Sequence, residues 1–412
     1  MIMAAAVALL LPCTVLAQTK KPATARPAGT RTTTTRTTTP QKPAEKRWGC
    51  YELNATFIAP TDSVIYYLEN DENNAVMSLD CQTGAINTVI PGIKGVYEGA
   101  RPLFRDLVAT GGKLLLRVTK ESKRGVYVWD GKSLSTSKRM GSALEIACYN
   151  GKYVLVYAEP KDKDGYTQEC FMLWDVEQMK SLIRYPLYDD SSGKTAYENL
   201  EHAVMDTAAN FWYGTRAGVK RVARNGRITT YKFTGDYIET LREENAYGWD
   251  SDVKSTQMTL QGDYLYVAFH RRIYRMNVYE PGTWEEYAKV PPTQEGEFSQ
   301  VAAYPDGSLL TYCDVNKDFA TQYYPVGKFD APVSLGRRPS LPTTGHFINM
   351  DKECWISLNY MEYDYLGNIL VLTNSTSTRT NNMFNTGALW VINPQGVNGY
   401  KNVVGKVVEV NK

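Results

Sequence analysis

The chain has 412 residues, of which 43% are hydrophobic and 22% charged, and this globular composition excludes disorder over most of the length. Aromatic residues reach 12%, mainly because there are 29 Tyr, a residue that favours half-buried strands. The formal net charge is +2 at pH 7, and three His with seven scattered Cys argue against a zinc-rich protein.

Residues 1–17 have the pattern of a signal peptide. The apolar run ends in Val15-Leu16-Ala17, a sequence that suits signal peptidase, so we expect cleavage after Ala17. No Lys or Arg precedes the run, and lipidation at Cys13 stays an open alternative. The run is too short for a transmembrane helix and no later stretch is long enough, so we expect no transmembrane span.

Residues 18–47 are rich in Thr and Pro and have almost no large apolar side chain, which predicts a disordered linker. The segment carries eight basic residues against one acid, Glu45, so the remainder of the chain is mildly acidic. An acidic folded part argues against nucleic-acid binding. The basic linker either serves as a solvated spacer or is attracted to an anionic envelope surface.

From Trp48 onward, a tight polar turn followed by an apolar β run recurs seven times at intervals of roughly 50 residues, the length of a four-stranded propeller blade. Gly and Asn in these turns tolerate the positive φ that short hairpins need. The turns end at Ser63, Lys113, Lys152, Asn210, Asp263, Ser308 and Asn368.

A second segment alternates with the turns and contains a strand, a polar turn and a further strand. In the seventh unit, this pattern places both remaining strands within residues 388–404. Short antiparallel strands also build sandwiches, but a repeated unit favours radial closure, which protects sheet edges. The sequence therefore predicts an all-β fold over residues 48–412, a seven-bladed β-propeller of four-stranded antiparallel blades, preceded by the signal peptide and the linker.

One unit, Met205–Phe233, resembles the two-component-regulator-type propeller repeat, and two others match it more loosely. That repeat has a D-x-x-G-N turn, a W-x-G-T strand, a Gly-led strand with Arg and a closing strand with Tyr. The matching residues are Asn210, Trp212, Gly214, Thr215, Gly218, Arg221, Gly226 and Tyr231, whereas Ala209 replaces the turn Gly. The resemblance implies a propeller that senses a ligand or partner outside the cytoplasm, and it implies no catalytic residue.

Chain direction predicts where a site lies. In a propeller, the loops between second and third strands and the connections between blades share one face, and here they contain most of the long polar segments. Counting eight residues back from the last residue of each turn predicts which polar side chains lie at the channel mouth. Glu145 is one residue away from its counted position. These candidates are Arg105, Glu145, His202, Gln300 and Tyr360. Solvation of a wet channel is the alternative explanation.

Three further residues are candidate ligand contacts. His270 and Arg271 lie in a tight loop where they could hold a carboxylate, or form a solvated charged turn. Trp249, in a long connection, could stack on a sugar ring or pin its own segment to the barrel. No cofactor or metal motif is present, so we expect none.

The sequence therefore predicts an exported protein of the periplasm or cell surface of a Gram-negative bacterium. We expect a monomeric binding or scaffold protein that recognises a protein or carbohydrate with its loop-rich face. The alternative is a carbohydrate-active enzyme, a polysaccharide lyase or hydrolase, with its site at the channel mouth. Six Cys remain after cleavage, and disulfide pairing among them stays open.

Overall fold

The computed structural model divides the chain into two units, residues 1–44 and 45–412. The residues that the structure describes all belong to the second unit. They are residues 48–53, 55–69, 75–91, 104–119, 124–134, 136–187, 200, 203–215, 218–233, 257–294, 296–315, 318–334, 354–364, 366–377, 386–397 and 399–400.

The secondary structure of these residues is entirely β. The first strands in chain order are β1 (Trp48–Glu52), β2 (Ala55–Pro60), β3 (Val64–Glu69), β4 (Val76–Asp80), β5 (Ile86–Ile90), β6 (Phe104–Thr110), β7 (Lys113–Val118), β8 (Gly125–Trp129), β9 (Lys138–Arg139), β10 (Ala143–Tyr149), β11 (Tyr153–Ala158), β12 (Cys170–Asp175), β13 (Lys180–Pro186) and β14 (Val204–Met205). The remaining strands are β15 (Phe211–Thr215), β16 (Gly218–Val222), β17 (Ile228–Lys232), β18 (Gln257–Gln261), β19 (Tyr264–Phe269), β20 (Arg272–Asn277), β21 (Glu285–Lys289), β22 (Glu297–Ala303), β23 (Leu309–Val315), β24 (Asp318–Tyr324), β25 (Val333–Ser334), β26 (Cys354–Tyr363), β27 (Ile369–Ser377) and β28 (Thr386–Ile392).

These strands form seven four-stranded antiparallel sheets. Six of them take four consecutive strands, beginning with β2, β6, β10, β14, β18 and β22. Each sheet contacts the next, mostly through these first strands, although the second sheet meets the third where β7 and β8 contact β10. Because β2 contacts β27 of the last sheet, the circuit closes. The described residues therefore form a β-propeller in which β2, β6, β10, β14, β18, β22 and β26 are the innermost strands.

The last sheet corrects one sequence-based expectation. Its order is β1-β28-β27-β26, so the N-terminal strand supplies the outermost place that the sequence pattern assigned within residues 388–404. Trp48 pairs with Ile392 and Glu52 with Ala388. The outermost strand of this blade comes from the opposite end of the chain. The alternation of apolar and polar residues in one segment does not show which distant segment pairs with it.

The apolar pattern explains why the middle strands form. The second strand of a blade is covered on both sides by neighbouring sheets and is therefore nearly continuously apolar, as in β11, where four of its residues are buried. Outermost strands alternate instead, as in β17, which exposes every second residue. The core accordingly lies between adjacent sheets, where Phe233, Tyr274 and Trp284 pack ring against ring.

Candidate functional site

Strand direction gives the propeller two unequal faces. The innermost strands begin at one face, which we call the connection face. They end at the opposite face, which we call the turn face. Four connections between blades start and end on the connection face. They run from Ile90 to Phe104, from Pro186 to Val204, from Lys232 to Gln257 and from Ser334 to Cys354. On the turn face the strands are joined by turns as short as Gly111-Gly112.

Most of the long segments on the connection face lie outside the described residues, and the loop of residues 159–169 is the longest one within them. Asp162 organises this loop, because its carboxylate accepts hydrogen bonds from the backbone N–H groups of Asp164 and Tyr166 at 2.9 and 2.8 Å. Tyr166 is 73% exposed, so the connection face presents an aromatic ring to solvent.

The turn face is linked from blade to blade by hydrogen bonds. Gly111 N–H donates to Gly151 O at 3.0 Å, and the Asn150 side-chain amide donates to Asp206 O at 2.7 Å. Further round the propeller, Tyr304 Oη donates to Ile392 O at 3.0 Å. These bonds tie neighbouring turns of adjacent blades together.

Within the turn face, Asp206 explains the D-x-x-G-N pattern that the sequence shows. Its carboxylate accepts from Asn210 N–H at 2.9 Å, from the Asn210 amide at 2.8 Å and from Trp212 Nε1 at 3.1 Å. Ala209 takes the place of the turn Gly and adopts the left-handed φ of 63°. Asp364 and Asn368 repeat the arrangement in the last sheet.

Five of the seven innermost strands carry a repeated irregularity on the side of the strand that leads from the connection face. In β2, β6, β10, β22 and β26, one extra residue interrupts the pairing with the second strand, which makes a β-bulge. A bulge re-aims the following side chains, so it sets which residues line the mouth. The residues directly after the bulges are Phe57, Asp106, Glu145, Gln300 and Tyr360.

This register places Glu145, Gln300 and Tyr360 at equivalent positions, whereas Arg105 is itself the bulged residue of β6. Counting eight residues back from the turn predicts Arg105 as the mouth residue of β6. In the structure, Asp106 occupies that position. The count fails by one because β6 and β7 are joined by only two residues, Gly111 and Gly112. The side chains of Arg105 and Tyr360 lie outside what the structure describes, as do His202 and Trp249 entirely.

A charged cluster occupies the mouth between the second and third blades. Arg117, on β7, pairs with Asp106 in the sheet and donates across the blade boundary to the Glu145 carboxylate. Burial raises the pKa of Asp106 to about 6, while the N–H of Leu107 and the charge of Arg117 oppose this rise and the charge of Glu145 adds to it. The guanidinium of Arg117 thus bonds to Glu145, while its charge also acts on the nearby carboxyl of Asp106.

His270 and Arg271 lie together at the tight loop between β19 and β20. Arg271 donates to Gly296 O at 2.8 Å and to Gln294 O at 2.7 Å, so its guanidinium holds the following connection between blades. His270 Nδ1 lies 3.1 Å from Glu297 Oε1, and this contact lowers the pKa of the Glu297 carboxyl. The pair thus acts first as a support for the connection face, and a ligand carboxylate would have to compete with those backbone carbonyls.

The cysteines that the structure describes in full are buried thiols. Cys81, Cys148 and Cys170 are free, and β11 separates the strands that carry the last two. Burial raises the pKa of the Cys81 thiol to about 11, so the reactive thiolate is disfavoured. Over the described ranges, no cluster of three His, Cys, Asp or Glu side chains could hold a metal ion.

Comparisons with known proteins show no family for this chain. No protein-family model matches the sequence, and no curated protein matches it either. Across the described residues, no helix is long and apolar enough to cross a membrane.

Several solved structures are similar. Virginiamycin B lyase from Staphylococcus aureus has a TM-score of 0.46 at 11% identity, covering 84% of this chain and 100% of that one. The extracellular domain of a putative hybrid two-component system from B. thetaiotaomicron has a TM-score of 0.47 at 10% identity, covering 83% of this chain but 39% of that one. The WD40 domain of Pan2 from Neurospora crassa has a TM-score of 0.48 at 10% identity, covering 86% and 98%. These similarities do not assign a function to this chain.

Proposed function

We propose that this protein is an exported seven-bladed propeller that binds a ligand or a protein partner with its connection face. One observation carries the proposal. The strand ends that bear the long connections all lie on that face, whereas the turn face has shorter connections, and several of its turns bond to one another. Long loops can change in length and sequence without disturbing the sheets that carry them, and binding residues are therefore commonly found on such loops.

The candidate contacts are the residues of the mouth together with the loops around it. Glu145 and Gln300 follow bulges on innermost strands, and Arg105, His202, Tyr360 and Trp249 remain candidates from the sequence. Asp106 and Arg117 join them because they form one charged cluster with Glu145. A signal-peptide pattern over residues 1–17 supports export to the periplasm or the cell surface.

The test compares the two faces of one protein by site-specific photo-crosslinking. A benzoylphenylalanine at Tyr166 reports on the connection face, and one at Tyr279, which is 57% exposed in the turn between β20 and β21, reports on the turn face. We expect adducts with an envelope component from Tyr166 and none from Tyr279. Adducts from Tyr279 alone would contradict the proposal.

A carbohydrate-active enzyme is the second candidate, and the Asp106–Arg117–Glu145 cluster is the observation that favours it. An acid with a pKa of about 6 beside a second carboxylate suits proton transfer to or from a substrate. His202, another candidate at the mouth, lies outside the described residues. Release of reducing sugar from polysaccharides by the unmodified protein, lost in Asp106→Asn, would establish this activity; no release from any polysaccharide would exclude it.

A further inference from the structure

A cleft of about 840 Å³ opens on the turn face, opposite to the face that carries the proposed function. It lies between the first and second sheets. Its walls come from the turn of residues 61–63, the turn at Gly111-Gly112 and the turn that follows β8, and Gly151 and Met179 of the third sheet close one end. This volume is within the usual range of small-molecule sites.

Two aromatic side chains line the cleft. Tyr66, on β3, and Trp129, on β8, are both half-buried, because part of each ring packs into the hydrophobic cluster between these two sheets. The rings are therefore fixed in place by the core while they border the cleft. The indole N–H of Trp129 is buried and finds no acceptor among the described residues. Rigid aromatic rings that lose little conformational freedom are the usual anchors of polar ligands.

The charges in the cleft cancel. Lys113 is fully engaged, because its ammonium donates to Val176 O at 2.6 Å and to Glu177 O at 2.7 Å. Asp130 caps its own turn by accepting from Lys132 N–H at 2.9 Å. Asp62 and Lys138 also line the cleft, both close to solvent, and they have opposite signs.

Two exposed glycines, Gly112 and Gly131, belong to the turns that line the cleft. A Cβ added at Gly112 or Gly131 would meet nothing within 4 Å, so the backbone there is accessible to a ligand. Both residues adopt positive φ, at 68° and 85°, which keeps larger side chains out of these positions. Ser63 and Thr136, with exposed hydroxyl-bearing side chains, border the same space.

We propose that this cleft binds a neutral saccharide. Aromatic rings offer flat apolar surfaces to the C–H faces of sugar rings, while hydroxyls and open backbone satisfy the sugar hydroxyls. Balanced charge favours neither an acidic nor a basic polymer, and a lipid chain would leave the polar turns unpaired. An extended peptide would add to a free strand edge, whereas this lining consists of turns and strand faces. The inference is independent of binding at the connection face.

The test uses the full chain in calorimetric titrations with soluble neutral hexasaccharides of glucose, mannose, xylose and N-acetylglucosamine, and with oligogalacturonate as the acidic comparator. We expect one neutral series to bind. Tyr66→Ala and Trp129→Phe should each weaken that binding about tenfold. Tyr279→Ala, an exposed aromatic on the same face but outside the cleft, is the matched control and should bind normally.

Three additional variants keep the test valid if the aromatic substitutions disturb folding. Ser63→Arg adds bulk at an exposed position in the cleft wall and should block binding without touching the core. Asp62→Asn and Lys138→Gln should each change the affinity by less than about threefold, since a neutral ligand needs neither charge. No neutral binding, binding that survives both Ser63→Arg and Tyr66→Ala, or a preference for oligogalacturonate that Lys138→Gln removes would each overturn the proposal.

Discussion

At the scale of single residues, Asp106 shows how a half-buried position changes the chemistry of the mouth. Burial raises its pKa to about 6, well above the ordinary value of an aspartate, despite the nearby Arg117. Between these two values the folded protein binds more protons than the unfolded chain. Stability therefore falls as the pH rises through this window and is lowest, with respect to this group, above pH 6.

Asp106→Asn should remove the loss of stability that the charged form of Asp106 causes at higher pH. The amide oxygen can still accept from Leu107 N–H, a bond of 2.8 Å in the structure, so the local geometry is kept. We expect a stabilisation of about 1–3 kcal/mol at about pH 7.5 and almost none at about pH 4. Thermal unfolding at both pH values measures it, with the exposed Asp330→Asn as control. An equal effect at both pH values would show that the charge of Asp106 is not responsible.

The sequence predicts part of this mouth. It places Glu145, Gln300 and Tyr360 on innermost strands, because turns and apolar runs define where those strands lie. It does not identify Asp106 or Arg117, since a one-residue bulge and a contact between two blades leave no local pattern. The ligand roles of all these residues remain predictions.

At the scale of elements, the turn around Asp206 joins two strands through one buried carboxylate. Four groups of its own hairpin donate to it, from Ala208, Asn210 and Trp212. The D-x-x-G-N pattern predicts this turn well, because an Asp that accepts from the backbone two and four residues ahead is a local arrangement.

Asp206→Ala should therefore leave several buried donors without an acceptor. We expect a loss of about 2–4 kcal/mol in the free energy of unfolding, since each unpaired buried group is costly. Urea denaturation followed by tryptophan fluorescence measures it. Thr207→Ala, one residue away and exposed, should change stability by less than about 0.5 kcal/mol. Similar losses in the two variants would mean that the turn itself, and not its carboxylate, carries the stability.

At the scale of the whole molecule, the sequence predicts the repeated four-stranded antiparallel sheets but not how the propeller closes. Periodic turns locate the middle strands, which are apolar runs covered on both sides. Pairing of β1 with β28 joins the two ends of the described chain, and no local signal at Trp48–Glu52 announces its partner.

Closure can be tested by placing proline at successive positions of β1. In an edge strand, alternate N–H groups point toward the partner strand, so only one of Gly49→Pro and Cys50→Pro removes a ladder hydrogen bond directly. We expect one of the two variants to lose about 3 kcal/mol and the other to lose clearly less, measured by thermal unfolding. If both variants unfold like the unmodified protein, β1 does not hold the circuit together.

Joining β1 to β28 also imposes an order of events on the maturing protein. The segment Trp48–Glu52 is synthesised early, yet its partner exists only once Thr386–Ile392 has been made. Until that strand is available, β1 has no partner, and its unpaired backbone groups are a template for pairing with another molecule. Holdase chaperones should therefore matter most for this protein in the interval just before the last strand is delivered.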